Sequence, residues 1–306
     1  MTARRWVAGP GDGRTVGEVL ALAGADAHAL RDGRVFVGRK RARAAHDPVA
    51  VGDVVEVAPP GLAATTPLVI LAREGDVIAV DKPAGMPTIA DHRGAADALV
   101  TRVARELDVD PSRVHPSSRL DRDVSGVVTF ALSRRAAARL LEAREAGRYE
   151  RRYAAVAASE PRPSHGQWAA PIGRARDPRL RRADGEGAIA ALTRYATAAR
   201  ASRGEAMLAV TPITGRTHQI RVHAAHAGVP LVGDHDYGGG ARFTLPGGAV
   251  LELRRIALHA ARVVIRAARG TPFVAEAPVP AELEQLWARL GGAPDAWNLC
   301  VAMEVP

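Results

Sequence analysis

The segment His115–Ser133, HPSSRLDRDVSGVVTFALS, decides how the rest of the chain is read. Its second half, Val127–Leu132, is β-branched and aromatic enough to form a buried strand. Ser125-Gly126, just ahead of it, supplies a point where the backbone can turn sharply. On the loop before that strand Asp121 stands with Arg119 and Arg122 beside it. A carboxylate on a loop carried by a rigid element is a common arrangement for reactive groups. A surface Arg-Asp-Arg ion cluster has the same composition and does no chemistry, so the other motifs must decide between the two.

The chain has 306 residues, enough for one large domain or two unequal ones. No apolar run is long enough to cross a bilayer, and the start, MTARRWVAGPGDGR, lacks an apolar stretch with a cleavage-like site, so neither membrane insertion nor secretion is expected. The one cysteine, Cys300, forms no internal disulfide and excludes a multi-cysteine metal centre. A reducing, cytoplasmic setting is the resulting expectation. Lys and Arg number 42 against 33 Asp and Glu, for a formal charge of +9. The basic residues are nearly all arginine, whose planar fork suits phosphate. They gather at Arg39-Lys40-Arg41-Ala42-Arg43, Arg148–Arg152 and Arg174–Arg182, a pattern of separate patches on a polyanion-binding surface. A coding bias toward Arg, Ala and Gly would produce the same composition.

Residues 14 to 58 read as a small module. Thr15 caps a helix from Val16, Asp32-Gly33 turns into a strand at Arg34–Gly38, and Val49–Val57 reads as two short strands around Gly52-Asp53. The Pro, Ala and Thr stretch that follows reads as a linker over 61–76. Val77–Asp81 is then a strand stopped by Pro83, with Lys82 at its end and a turn at Gly85. Ala95–Leu107 and Arg134–Ala146 are helical, and Tyr149–Ala158 is a strand with Tyr149, Arg151, Tyr153 and Ala155 on one face.

From Pro161 to Gly187 little periodicity is visible, and an exposed basic loop is expected. Strands are expected at Ala188–Ala199, Ala206–Pro212 and Ile256–Arg266, and a terminal helix at Pro280–Leu290. The stretch from Thr214 to Pro230 reads as a helix capped by Thr214 or Thr217, with Arg216 in its first turn and Gln219, His223 and His226 on one side. Its histidines lack the H-E-x-x-H spacing and a carboxylate within the helix, which argues against zinc. The turn-rich loop Gly233–Gly239 reads either as a phosphate-binding loop or as a plain connection.

Four separated segments in this order resemble the RluA-type RNA pseudouridine synthases. They are D-K-P-A-G-M at 81–86, R-L-D-R-D-V-S-G at 119–126, T-G-R-T-H-Q-I-R-V-H at 214–223 followed by G-V-P-L-V-G-D-H-D-Y-G at 228–238, and L-H-A at 258–260. The order of helix, short strand, basic loop and V-G-D-x-V-x-V in the first 60 residues resembles the S4-type RNA-binding module. The resemblance implies an α+β fold, with a mainly antiparallel mixed-sheet catalytic domain over 77–306 and a small S4-like α/β module over 1–60. It also implies conversion of uridine to pseudouridine in structured RNA, ribosomal RNA above transfer RNA, by a monomer with no metal or organic cofactor.

On that resemblance Asp121 matches the catalytic carboxylate, and Arg221 or Arg216 is the guanidinium that keeps it ionised. Tyr153 matches the aromatic residue that packs on the target base, and its phenol is a candidate for proton removal at C5. Ile220 joins Tyr153 in walling the pocket. Arg119, Lys82, His218 and Gln219, with Arg39, Lys40 and Arg41 of the N-terminal module, are the implied substrate and RNA contacts. The chain departs from the family pattern at Ser118, where His is usual, at Val124, where Thr is usual, and in lacking a common Gly after Tyr153. A non-catalytic RNA-binding or ribosome-assembly protein on the same fold is the competing reading. A phosphoryl-transfer enzyme fits less well, because the chain has neither G-x-x-x-x-G-K-[ST] nor a carboxylate cluster suited to magnesium.

Overall fold

The computed structural model describes residues 4–25, 29–30, 35–38, 40–42, 44–57, 68–89, 98–240, 242–244, 250–253, 255–267 and 270–306. The chain divides into two compact units, Met1–Leu68 with Met86–Ser112, and Val69–Gly85 with Arg113–Pro306. No helix among the described residues is long and apolar enough to cross a membrane.

The first unit holds strands β1 (Arg4–Val7), β2 (Val35–Val37), β3 (Lys40–Arg41) and β4 (Val54–Val57), in the order β1-β4-β2-β3. Helix α1 (Val16–Leu22) begins where the sequence predicts. The Thr15 side chain accepts from the Glu18 N–H and the Glu18 carboxylate accepts from the Thr15 N–H, a reciprocal cap that satisfies two donors at the helix start. Val16, Val19, Val35, Val55 and Val57 close the small core between helix and sheet. Val49–Val57 forms one strand instead of the two expected. The Asp53 carboxylate takes the Ala50 N–H at 2.9 Å and makes a local turn that competes with pairing. Helix α2 (Leu99–Glu106) also belongs to this unit.

The second unit is built on one long sheet. Its strands are β5 (Val69–Glu74), β6 (Val77–Lys82), β7 (His115–Pro116), β8 (Ser125–Ala131), β9 (Tyr149–Ala157), β10 (His165–Trp168), β14 (Thr193–Arg200), β15 (Ala206–Pro212), β18 (Leu258–Ile265) and β19 (Phe273–Glu276). The order is β10-β14-β15-β9-β18-β8-β6-β5, with β7 on β8 and β19 on β18. Every pairing is antiparallel except β18 with β8, which run parallel over His259–Ser125 and Ala260–Gly126. The expected linker therefore ends early: Val69–Glu74 pairs along β6 as a strand of the sheet.

Helix α3 (Arg134–Glu145) lays Ala136, Leu140 and Ala143 against Val127, Ala131 and Val263 of the sheet. On the β9 and β15 side, Ala154, Val156, Met207 and Ala209 meet Leu283, Leu286 and Trp287 of α5 (Ala281–Arg289), Leu290 just after it, and Trp297 and Cys300 of α6 (Ala296–Ala302). The sequence pattern revealed α5 and missed α6, a two-turn helix whose apolar residues have too short a run to show a period. Helix α4 (Gln219–His226) carries the T-G-R-T-H-Q-I-R segment.

The segment read as a basic loop contains structure. Besides β10, it forms β11 (Ile172–Arg174), β12 (Arg181–Ala183) and β13 (Glu186–Ile189), a separate three-stranded sheet in the order β12-β11-β13. Its strands are too short and too polar to show a period of two. Pairing against each other is what makes them strands. Strands β16 (Arg242–Thr244) and β17 (Val250–Glu252) form a further hairpin.

Candidate active site

The turn that carries Asp121 is held from two sides. Gly85 N–H donates to the Arg122 carbonyl at 2.9 Å, and the Arg122 guanidinium returns a bond to the Gly85 carbonyl at 2.9 Å. Lys82, at the end of β6, is fully buried and donates to the carbonyls of Arg122 at 3.1 Å and Pro83 at 3.0 Å. Burial pushes its ammonium down to about 7, against the pull of the Asp121 charge. On the far side of Asp121, the chain enters β8 through Gly126 at φ +113°. A Cβ there would lie 2.2 Å from the Ala260 carbonyl oxygen on β18. Only glycine allows that approach.

Asp121, with its side chain a quarter exposed, faces Arg221 of α4, whose Nη1 donates to Asp121 Oδ2 at 3.0 Å. Its other two nitrogens are engaged as well. Nε and Nη2 reach the two oxygens of buried Asp234 at 2.8 Å each, and Nη2 also reaches Asp236 Oδ2 at 2.9 Å. The guanidinium stacks over the Tyr237 ring at 4.7 Å. A bidentate carboxylate behind and an aromatic face beside it leave the arginine one orientation, with one edge turned to Asp121. Despite the opposing cost of burial, its carboxylate partners raise the Arg221 pKa, so it is always charged.

His218 stands at the N-terminus of α4 in a left-handed conformation, φ 57°. Its Nδ1 bonds the Tyr237 hydroxyl at 2.7 Å, and its Nε2 lies 3.9 Å from Asp121 Oδ1. Burial holds the imidazole below its usual pKa, so the ring near Asp121 is neutral around pH 7. The Arg181 N–H also donates to the Tyr237 oxygen at 2.9 Å, so this phenol links β12 to the histidine. Tyr153 lies on β9 opposite Val210 and Ala260, and burial raises its phenol pKa, with the Asp121 charge adding to the effect. Ile220 is buried next to Arg221 in α4.

Of the two arginines that the sequence leaves open, Arg221 faces Asp121. Arg216 turns away and donates to the Ala190 carbonyl at 3.0 Å. It also precedes the helix instead of lying in its first turn, because α4 starts at Gln219 and neither threonine caps it. The Thr214 hydroxyl accepts from Leu192 N–H and donates to Gln219 Oε1 at 2.7 Å. Gln219 is spent inside the protein, its oxygen on Thr214 and Arg216 N–H, its nitrogen on the Leu192 carbonyl and Thr193 Oγ1. Lys82 and Gln219, expected to contact substrate, are thus buried scaffold. Arg119 is exposed beside the Asp121 turn. Arg39 lies outside the described residues, as do the side chains of Lys40 and Arg41.

The residues that sequence reasoning missed are Asp234 and Asp236. The loop expected to bind phosphate or merely to connect instead supplies two carboxylates, a charge that repels an anion. The available signal was electrostatic: an arginine on the apolar side of a helix requires a buried counter-charge, and G-D-H-D is the nearest acidic pair.

The family model described as RNA pseudouridylate synthase matches residues 76–226. A protein of Xanthomonas campestris named ribosomal large subunit pseudouridine synthase D is 37% identical over 275 residues, covering 86% of this chain and 81% of that protein. An RNA pseudouridine synthase of Bacillus subtilis, YhcT, is 35% identical over 221 residues, covering 71% of this chain and 70% of its own length. Among solved structures, human RNA pseudouridylate synthase domain containing 1 superposes with a TM-score of 0.60 at 22% identity, over 81% of this chain and 99% of that one, a likeness of fold. With the four motifs, the long mixed sheet and these relatives together, the chain belongs to the RNA pseudouridine synthases of the RluA type, isomerases that convert uridine in RNA to pseudouridine.

Proposed function

We propose that this enzyme modifies uridines of structured ribosomal RNA and that Asp121 is its catalytic carboxylate. The observation that carries the reading is the pairing of Asp121 with Arg221 at 3.0 Å, while Asp234 and Asp236 hold the Nε and Nη2 of that guanidinium. Asp121 takes one bond from that guanidinium, through Oδ2, and its side chain stays a quarter exposed beside the turn. Ribosomal RNA is favoured because the Xanthomonas relative is named for the large ribosomal subunit.

A stacked uracil is out of reach, so the nucleotide is flipped into the pocket at a cost of about a few kcal/mol of stacking. Asp121 then acts either as nucleophile at C1′ or as base at C2′. On both routes the N-glycosidic bond breaks, the uracil turns while still bound, C5 joins C1′, and the C5 proton is lost. Tyr153, with a phenol that burial keeps protonated, serves as the platform for the base. The first unit, a capped helix on a small sheet, supplies S4-like RNA contacts in this reading.

The test is tritium release from RNA labelled at uridine C5, combined with mapping of carbodiimide-reactive sites in ribosomal RNA from cells with and without the gene. Asp121→Asn keeps the shape and removes the charge. It is expected to stop release while RNA affinity stays within about twofold, since a single charge is a small part of a multi-phosphate contact. Substantial turnover by the Asn variant would reject Asp121 as the reacting group. Unmodified ribosomal RNA alongside newly modified transfer RNA would reject the substrate.

A further inference from the structure

Strand β18 opens with L-H-A at 258–260, and Arg255 stands three residues ahead of it. Arg255 is buried, 5% exposed. Its one ion pair among the described residues is with Glu282 at 4.0 Å, a carboxylate that is itself more than half exposed. Burying a cation beside so weak a counter-charge is costly, and burial holds its pKa below the usual value against the pull of Glu282, Asp123 and Asp81. What the guanidinium has instead is a set of fixed oxygens. Nη2 donates to Ser125 Oγ at 2.6 Å and to the Leu258 carbonyl at 3.2 Å, and Nε donates to the Ile256 carbonyl at 3.2 Å.

Ser125 ends the turn that carries Asp121, and its hydroxyl is held from a second side. His259 Nε2 faces the Ala277 carbonyl at 3.3 Å, an oxygen that can only accept, so the neutral ring keeps its proton there and Nδ1 accepts from Ser125 Oγ at 2.8 Å. Burial pushes the His259 pKa down to about 4, so the ring is neutral at pH 7.

The backbone around Arg255 grips both halves of the site. Ile256 N–H donates to the Asp123 carbonyl at 3.3 Å, and Ala257 N–H donates to the Val232 carbonyl at 2.8 Å. Gly233, at φ +82°, leaves no room for a Cβ against the Arg255 carbonyl oxygen, so the residue before Asp234 is seated on Arg255. Asp121 belongs to the first of these segments, and Asp234, the anchor of Arg221, to the second. Residues 255–257 therefore bridge the two segments whose side chains meet at the Asp121–Arg221 pair.

We propose that Arg255 is a positioning residue for the isomerisation: through Ser125 it fixes the Asp121 turn against the Asp234 loop and so sets the place of the Asp121 carboxylate. The inference rests on Asp121 being the catalytic carboxylate. Tritium release from C5-tritiated total RNA of cells lacking the gene gives kcat and KM, with kcat referred to the folded fraction found by urea unfolding.

R255M keeps the length of the side chain and removes its three bonds; S125A removes the hydroxyl alone. Each is expected to lower kcat about 10–100-fold, the scale of a misplacement of about 1 Å, with KM within about twofold of wild type, because a buried residue meets no phosphate. Both variants break one link, so R255M/S125A should lose no more than the worse single variant, whereas two unrelated packing defects multiply. R255K keeps a cationic donor for Ser125 and should recover part of the kcat lost in R255M; should R255M fail to fold, R255K and S125A form the same cycle. A wild-type kcat per folded molecule in either single variant, a loss carried by KM, or losses that multiply in the double variant would overturn the role. D121N measured alongside separates the two readings: an inactive D121N beside a fully active R255M removes the positioning role alone, while an active D121N removes the reading of Asp121 and this inference with it.

Discussion

Lys82→Met isolates what a buried cation does beneath the Asp121 turn. Two effects of similar size oppose each other. Burial moves the ammonium from 10.5 to about 7, which corresponds to a native-state cost of about 5 kcal/mol at 1.36 kcal/mol per pH unit. Methionine has nearly the same length and removes that cost. It also removes the bonds to the Arg122 and Pro83 carbonyls, each worth about 1.5–3 kcal/mol for a charged donor. Near pH 6 the two nearly cancel, and the variant should lie within about 2 kcal/mol of wild type.

The pH dependence does not cancel. With the folded pKa below the unfolded one, the unfolded chain holds the extra proton between about pH 7 and 10.5, so wild type gains stability as pH rises through that window. The methionine variant gains nothing from this position. The stability difference, wild type minus variant, should therefore grow by about 2 kcal/mol between pH 7 and 9. Urea unfolding followed by the fluorescence of buried Trp287 and Trp297 at pH 6, 7, 8 and 9 measures it. Turnover should fall about 10²-fold at every pH, because the Arg122 carbonyl loses a tie and a displacement of about 1 Å in the Asp121 turn is enough. Stability curves that run parallel from pH 6 to 9 would refute the assignment of a neutralising, buried lysine.

Two further substitutions test the geometry around that turn. Asp234→Asn presents an amide N–H to a guanidinium that needs two acceptors. It should cost about 2–3 kcal/mol in urea unfolding and lower kcat at least tenfold with little change in RNA Kd; an unaltered kcat would mean that Arg221 needs no second anchor. Gly126→Ala places a methyl group 2.2 Å from the Ala260 carbonyl oxygen at φ +113°. It should leave the protein insoluble or destabilised by more than about 4 kcal/mol, and a soluble variant with native melting would show that β8 and β18 need no close approach.

Much of this protein was legible in its residues. Asp121 could be singled out because a charged turn before a β-branched run, Ser125-Gly126 and three more ordered motifs are local features, visible without knowing what touches what. Helix α1 was legible for the same reason, since Thr15 and Glu18 cap it within four residues. Periodicity failed where stability comes from elsewhere in the chain. Strands β11–β13 are strands only because they pair with one another, and α4 starts at Gln219 because Thr214 and Gln219 bond each other and the Leu192 segment before β14.

The sequence by itself determined the family, the long mixed sheet and the place of Asp121 on the turn before β8, since each follows from motif order and short-range patterning. Only the tertiary structure decided which arginine faces that carboxylate. Arg216 and Arg221 sit five residues apart with the same charge, and the choice turns on where a helix begins and which carboxylates come to rest behind it. Those carboxylates, Asp234 and Asp236, are more than a hundred residues from Asp121 in the chain, and all three meet on one guanidinium. Coulombic pairing acts through space, so no reading along the backbone could have brought them together.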